Sequence, residues 1–224
     1  NMILVLSGSQ VGIIEDVISY KRPLYGRLSF KIKLEDMDYY DASQFYPEYS
    51  DEDKIIAYSI FGGIPHYLAK IDDRLTIKEN VIRLVSGKNA DFKDEVEFFL
   101  KQELRSIGAY GMIINAIAGG ATRLNEIAQR AQIKETGTAS KYIDTLRELN
   151  IIEKERCFGE KENSKKTIYK IKDQFFNFYY AFIHKNRSRI ALVDDNYFYD
   201  SLIAPMLSTY VGKAFETIAR QFLI

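Results

Sequence analysis

Thr122-Arg-Leu-Asn-Glu-Ile-Ala-Gln-Arg130, a polar turn from Lys134 to Gly137, and then Ala139-Ser-Lys-Tyr-Ile-Asp-Thr-Leu-Arg-Glu-Leu-Asn150 form the stretch whose reading decides the fold. Leu124, Ile127, Ala128 and Ala131 recur at helical period behind Thr122, a hydroxyl residue suited to an N-cap. Ala139, Tyr142, Ile143, Leu146 and Leu149 follow at i, i+3, i+4, i+7 and i+10, and Asn150 suits the left-handed position that ends a helix. Upstream, Tyr110, Ile113, Ile114 and Ile117 share one helical face until Gly119-Gly120. Downstream, residues 151–157 and Thr167–Ile171 read as two strands joined by a charged loop from Gly159 to Lys166. Helix, helix-turn-helix and hairpin together predict a winged helix.

The rest of the chain is read outward from that centre. From Asp173 the sequence turns aromatic, with Phe175, Phe176, Phe178, Tyr179, Tyr180 and Phe182 close together, the pattern of a helix buried nearly all round. Stacking on nucleic acid bases is the competing reading of those rings. On the other side, residues 54–61 and a helix opening at Pro65 flank Gly62-Gly63, and further helices are expected over 80–84 and 91–104. Residues 35–53 gather acids around scattered aromatics and read as a solvated, loosely helical linker. Ile3-Leu4-Val5-Leu6 reads as a buried parallel strand, Val11–Ser19 as a short helix, and residues 28–34 alternate apolar and polar as a half-buried strand does. The apolar opening, and a helical stripe from Phe215 to Leu223 still running at Ile224, read as the ends of a fragment.

Bulk chemistry narrows the function classes. The chain has 224 residues, 46% of them hydrophobic, with 31 Lys and Arg against 31 Asp and Glu, so no global field points to nucleic acid or membrane. No apolar run approaches the length needed to cross a bilayer, which predicts no membrane partner. The single cysteine, Cys157, excludes an intrachain disulfide, and a cytoplasmic location is expected. Two distant histidines, His66 and His184, make no metal motif, so no metal ligand is assigned. Gly8-Ser9-Gln10-Val11-Gly12 lacks the spacing of a serine nucleophile elbow, and no G-x-x-x-x-G-K-[ST] loop occurs.

Three ordered motifs carry a family resemblance: Leu4-Val5-Leu6-Ser7-Gly8-Ser9, Pro23-Leu24-Tyr25-Gly26-Arg27, and Phe61-Gly62-Gly63-Ile64-Pro65. Together with Asn80, Tyr169-Lys-Ile-Lys-Asp173 and Phe215-Glu216, they resemble the archaeal-type ATPase family within the STAND branch of AAA+ ATPases. The resemblance implies a mainly α chain with small β. Residues 1–36 would be a remnant of an α/β ATPase core, 37–104 a helical lid, 105–172 the winged helix, and 173–224 truncated C-terminal helices opening a nuclease-like region. It implies sensor roles for Ser7 and Ser9, an arginine-finger role for Arg27, and nucleotide contact at Gly63 and Pro65. ATP and Mg would be bound only by a full-length protein, whose phosphate-binding lysine and magnesium carboxylates have no counterpart in this chain. Alone it is expected to be inactive as an ATPase, with a missing N-terminal core and a homo-oligomer among its partners.

Residues 122–172 hold 12 Lys and Arg against 8 Asp and Glu. Lys161, Lys165 and Lys166 on the wing suit phosphate contacts, while Thr138, Ser140, Lys141 and Arg147 could face a DNA groove. Asp144 and Glu148 offset Lys141 and Arg147, so protein contact rivals DNA contact. Two further readings stand beside the ATPase segment: a stand-alone winged-helix transcription regulator, and a protein-interaction adaptor without nucleic acid.

Overall fold

The computed structural model describes residues 3–8, 11–104, 106–156 and 167–223, and it is mainly α with one small sheet. The first half contains α1 (Val11–Val17), α2 (Tyr39–Ser43), α3 (Asp51–Phe61), α4 (Pro65–Leu68), α5 (Ile77–Val81) and α6 (Glu95–Glu103). Polar caps start several of them. Asp38 accepts from Asp41 N at 2.8 Å, Ser50 accepts from Asp53 N at 3.1 Å, and Thr76 with Glu79 forms a reciprocal capping box on α5. Next come α7 (Ile107–Ala118), α8 (Leu124–Arg130), α9 (Thr136–Glu148) and the antiparallel pair β1 (Ile152–Glu155) and β2 (Ile168–Ile171), with Ile152 opposite Ile171. Finally α10 (Gln174–Phe178), α11 (Arg187–Leu192), α12 (Asp195–Phe198) and the long α13 (Ala204–Gln221) complete the chain.

α7, α8 and α9 pack on one another and bury Ile113, Ile114, Ile127, Ala139, Ile143 and Leu146, the positions picked out by period. Asn150 takes φ 59° just past α9, as expected of a residue that can enter the left-handed region. Two local details differ. Arg123 rather than Thr122 stands at the N-cap of α8, while Thr122 N is drawn to the Glu126 carboxylate at 3.3 Å. α9 starts at Thr136, so Gly137 belongs to the helix and not to the preceding turn.

One apolar cluster runs from α2 to α13, so the helical first half, the three-helix bundle and the C-terminal helices share a core. Phe175, Phe176, Phe178, Tyr179, Tyr180 and Phe182 are all buried in it, and burial of each such ring contributes about 2 to 3 kcal/mol. That answers the competing reading, because buried rings offer no face to a nucleic acid base. The acidic stretch 35–53 is more ordered than a solvated linker: Ala42, Tyr46 and Tyr49 enter the core while the acids stay outside. Three π turns, Ile82–Ser86, Tyr179–Ile183 and Tyr199–Ile203, continue α5, α10 and α12.

The two strands expected near the start do not form. Residues 3–8 and 28–34 have no ladder partner, and Ile3, Val5, Phe30, Ile32 and Leu34 are all exposed. A strand's backbone groups need a neighbour, and none of the described residues supplies one. The helix over 11–17 does form, and Lys31 reaches back to Glu15 at 3.1 Å. At the far end, Ile218 of the expected stripe is buried, whereas Phe215, Phe222 and Leu223 are exposed. No helix among the described residues is long and apolar enough to cross a membrane.

Candidate functional site

α3 ends where Gly62 takes φ 68°, its N–H bonded to Tyr58 O, a conformation that favours glycine. Gly63 follows, and Met37 crosses directly over it. Met37 N donates to Gly63 O at 2.9 Å, and Tyr58 Oη donates to Met37 O at 3.1 Å. A Cβ on Gly63 would lie 2.8 Å from both the N and the C of Met37, so only glycine lets the two backbones approach this closely. Pro65 then occupies the first turn of α4, where its missing N–H costs nothing, and it is exposed beside exposed His66.

Four elements meet around this turn. Tyr210 of α13 directs its hydroxyl at the carbonyls of Ser59 (3.1 Å) and Gln174 (3.3 Å), tying α13 to α3 and α10. Gln221, in the last turn of α13, accepts from Tyr39 N at 2.9 Å and donates to Tyr58 Oη at 2.9 Å. Asp173 caps α10 by accepting from Phe176 N at 2.9 Å. Burial pushes its carboxyl up to about 6 against the pull of the Phe176 amide, and the Asp36 carboxylate adds to the rise. Asp36, although accessible at the surface, is itself raised, chiefly by partial loss of hydration, with Lys172 opposing. Tyr67 is raised well above the ordinary tyrosine range by burial first and then by Asp173 and Glu95.

Asp173 therefore carries a pH signature. Its folded value lies above the unfolded value of about 3.9, so the proton-linked stability is complete below about pH 4 and is lost as pH rises through about 6. Asp173→Asn keeps an oxygen for the cap and removes the charge. It is expected to gain up to about 3 kcal/mol over wild type at pH 7, with the gap closing near pH 4. Urea melts of both proteins across that range read the difference directly.

The other sequence candidates are dispersed. Ser7 is exposed in irregular backbone, Ser9 lies outside the described residues, and Arg27 is exposed in a turn closed by its N–H to Leu24 O at 3.1 Å. No hydrogen bond or ion pair among the described residues links Ser7 or Arg27 to Gly63 or Pro65. On α9, Lys141 is exposed, Thr138 and Ser140 are half-buried, and Arg147 is paired with Asp144 at 2.9 Å. Tyr142 turns inward, edge-on to Tyr110 with ring centres 4.7 Å apart. Lys161, Lys165 and Lys166 lie outside the described residues. No group of three His, Cys, Asp or Glu among the described residues is placed to hold a metal ion.

Sequence reasoning passed over the outer face of the hairpin. Glu155 pairs with Lys170 at 2.8 Å and with Arg220 of α13, while Lys172 reaches Glu35 at 3.7 Å. Two basic residues of β2 and its end are thus engaged by carboxylates within the chain. Glu153 stands opposite Lys170 and Glu155 lies diagonal to it, so the alternating acids were a visible signal for the cross-strand part, since facing and diagonal residues on one side of a sheet interact. Arg220 had no such signal, being brought in by tertiary packing alone.

Residues 179–224 match the model of a family described as archaea bacterial proteins of unknown function. That match opens at the second π turn and covers α11, α12 and α13. No solved structure matches the chain. An uncharacterized protein of Methanocaldococcus jannaschii is 32% identical over 222 residues, covering 99% of this chain and 49% of the relative. The chain therefore spans about half the length of that relative. Along nearly its whole length it is similar to part of an uncharacterized archaeal protein, and through its C-terminal helices to a family of archaeal and bacterial proteins.

Proposed function

We propose that the chain is the lid and winged-helix portion of a nucleotide-switched regulatory ATPase of the STAND branch of AAA+ proteins, and that it couples nucleotide state to DNA binding. The observation that carries this reading is the order and packing of α7, α8, α9, β1 and β2. The third helix of that bundle buries Ala139, Ile143 and Leu146 and leaves Lys141 exposed. In helix-turn-helix proteins the helix in this position enters the major groove, with its side chains on base edges and cations on phosphates.

The coupling half of the reading is supported by the turn at Gly62-Gly63. It touches Met37, the start of α10 and, through Tyr58 and Ser59, the first half and the last turn of α13, so a displacement of the turn strains all of them at once. The fit to a nucleotide is partial in this chain. Gly63 has its space filled by Met37, whereas Pro65 keeps an exposed ring that could meet a base or sugar. In this reading ATP and magnesium are held by residues of a longer protein, and hydrolysis is that protein's activity.

Fluorescence anisotropy with labelled random duplex DNA at about 50 and 200 mM salt is the test, because phosphate-driven binding falls steeply over that range. The expected result is binding at low salt that weakens at high salt, with Lys141→Glu and Lys165→Glu each costing roughly tenfold. Absence of binding at low salt would overturn the DNA reading and leave a protein-contact module.

A further inference from the structure

A cavity of about 120 Å³, partly open to solvent, lies between the turn after the first π segment and α11. Val85, Ile183, Ile190 and Ala191 form its apolar walls, and the cationic side chains of Lys93 and Arg187 complete the lining with Gly87. Its origin is local. Val85 belongs to the π turn at 82–86 and Ile183 to the π turn at 179–183, two of the three in the chain. A π turn widens the helix and takes side chains out of the i,i+4 register, so two of them facing each other cannot interdigitate and leave a void. π turns are rare, and where they occur they frequently mark functional positions.

The lining dictates what would fill it. Arg187 is bonded to the carboxylates of Asp94 and Glu97, so its charge is offset. Lys93 gives Nζ to the Lys88 carbonyl at 2.7 Å, a neutral acceptor, has no ion pair among the described residues, and has two further donors. An apolar cavity of about 150 Å³ takes benzene, so one of this size suits about five or six heavy atoms. Apolar walls with one ammonium that has no ion pair among the described residues fit a short aliphatic tail ending in an anion.

From this we infer that the cavity is a binding site for a short-chain aliphatic carboxylate, with its tail against Val85, Ile183 and Ile190 and its carboxylate on Lys93. The site lies at a junction of two parts of the shared apolar core that polar contacts also hold. Asp200 holds Lys78 at 2.8 Å, and Asp195 accepts from Lys88 N at 3.3 Å. A ligand here bridges residues 85–93 to the helices matched by the family model, and it stiffens that junction whatever the chain's larger role.

Butyrate is the probe, with 1-butanol and butylammonium as controls of the same length, read by thermal melting and by saturation-transfer NMR on the intact chain. The expected result is butyrate-dependent stabilisation, with affinity at least tenfold above both controls. Lys93→Met should weaken butyrate at least tenfold and leave butanol unchanged. Ala191→Leu, a substitution at an exposed position that fills the space, should abolish binding of both while the circular dichroism spectrum stays native. No response to butyrate, butanol binding as tightly as butyrate, or binding that survives Ala191→Leu would each overturn the assignment.

Discussion

Gly63→Ala is expected to destabilise the chain by about 3 kcal/mol or more, lowering its melting temperature by about 6 to 12 °C. The new methyl group would fall inside van der Waals contact of the Met37 carbonyl oxygen and 2.8 Å from the Met37 N and C. Those are backbone atoms, which cannot swing aside as a flexible side chain would. Relief requires moving residue 37, and that movement breaks both the Met37 N–H to Gly63 O bond and the Tyr58 hydroxyl bond to Met37. Gly212→Ala supplies the contrast. It lies inside α13 with nothing within 4 Å of an added Cβ, and alanine there should stabilise by about 0.5 to 1 kcal/mol. Thermal melts of the two variants should therefore move in opposite directions. Equal small shifts would mean that the close crossing at Gly63 is not held in solution.

Asn80→Ala should cost about 4 kcal/mol, because the side chain is fully buried and satisfies groups on three segments. Its Nδ2 donates to Tyr49 Oη and to the Asp72 carbonyl, each at 2.7 Å, and its Oδ1 accepts from Asp72 N at 3.0 Å and Arg83 Nη2 at 2.9 Å. Alanine removes all four bonds in a place that water reaches poorly and leaves the Asp72 N–H without the amide oxygen it donates to, and it opens a small void besides. Tyr49→Phe should cost only about 1 kcal/mol, since it removes one hydroxyl that also donates to Leu75 O at 2.9 Å. The two side chains share a bond, so the double variant should lose less than the sum, measured by urea unfolding in a double-mutant cycle. Simple additivity would show that the network is not cooperative.

How far the sequence reveals this architecture depends on how local each determinant is. The bundle of α7, α8 and α9 and the hairpin were legible because their signals are local: three helical stripes, a residue at Asn150 able to enter the left-handed region, and two strand segments around a charged loop. The strands expected at 3–6 and 28–34 were not safe readings, since alternation specifies which side chains share a face but not whether a neighbouring strand exists. Residues 35–53 misled by composition. Their acids are conspicuous, yet Tyr46 and Tyr49 decide where the segment goes, and the Asn80 whose amide donates to Tyr49 lies far along the chain. The π turns carry no local signature, because the longer register is imposed by packing. At the candidate site, Gly63 and Pro65 could be picked out as a turn, but Met37, which gives Gly63 its importance, could not. Glu155 and Arg220 meet across 65 positions and were equally hidden.

The bond from Tyr39 N to Gln221 spans 182 positions and brings the two ends of the folded body side by side. Mechanically, the body then behaves like a bead on a string that enters and leaves through one eyelet. Tension applied between residues 38 and 222 falls first on Gln221, its two bonds to Tyr39 and Tyr58, and the Tyr39 and Phe222 rings, and only afterwards on the helices behind them. Segments leaving from either side of the eyelet are held as near neighbours, and the clasp at Gln221 is the gate through which one could pull on the other.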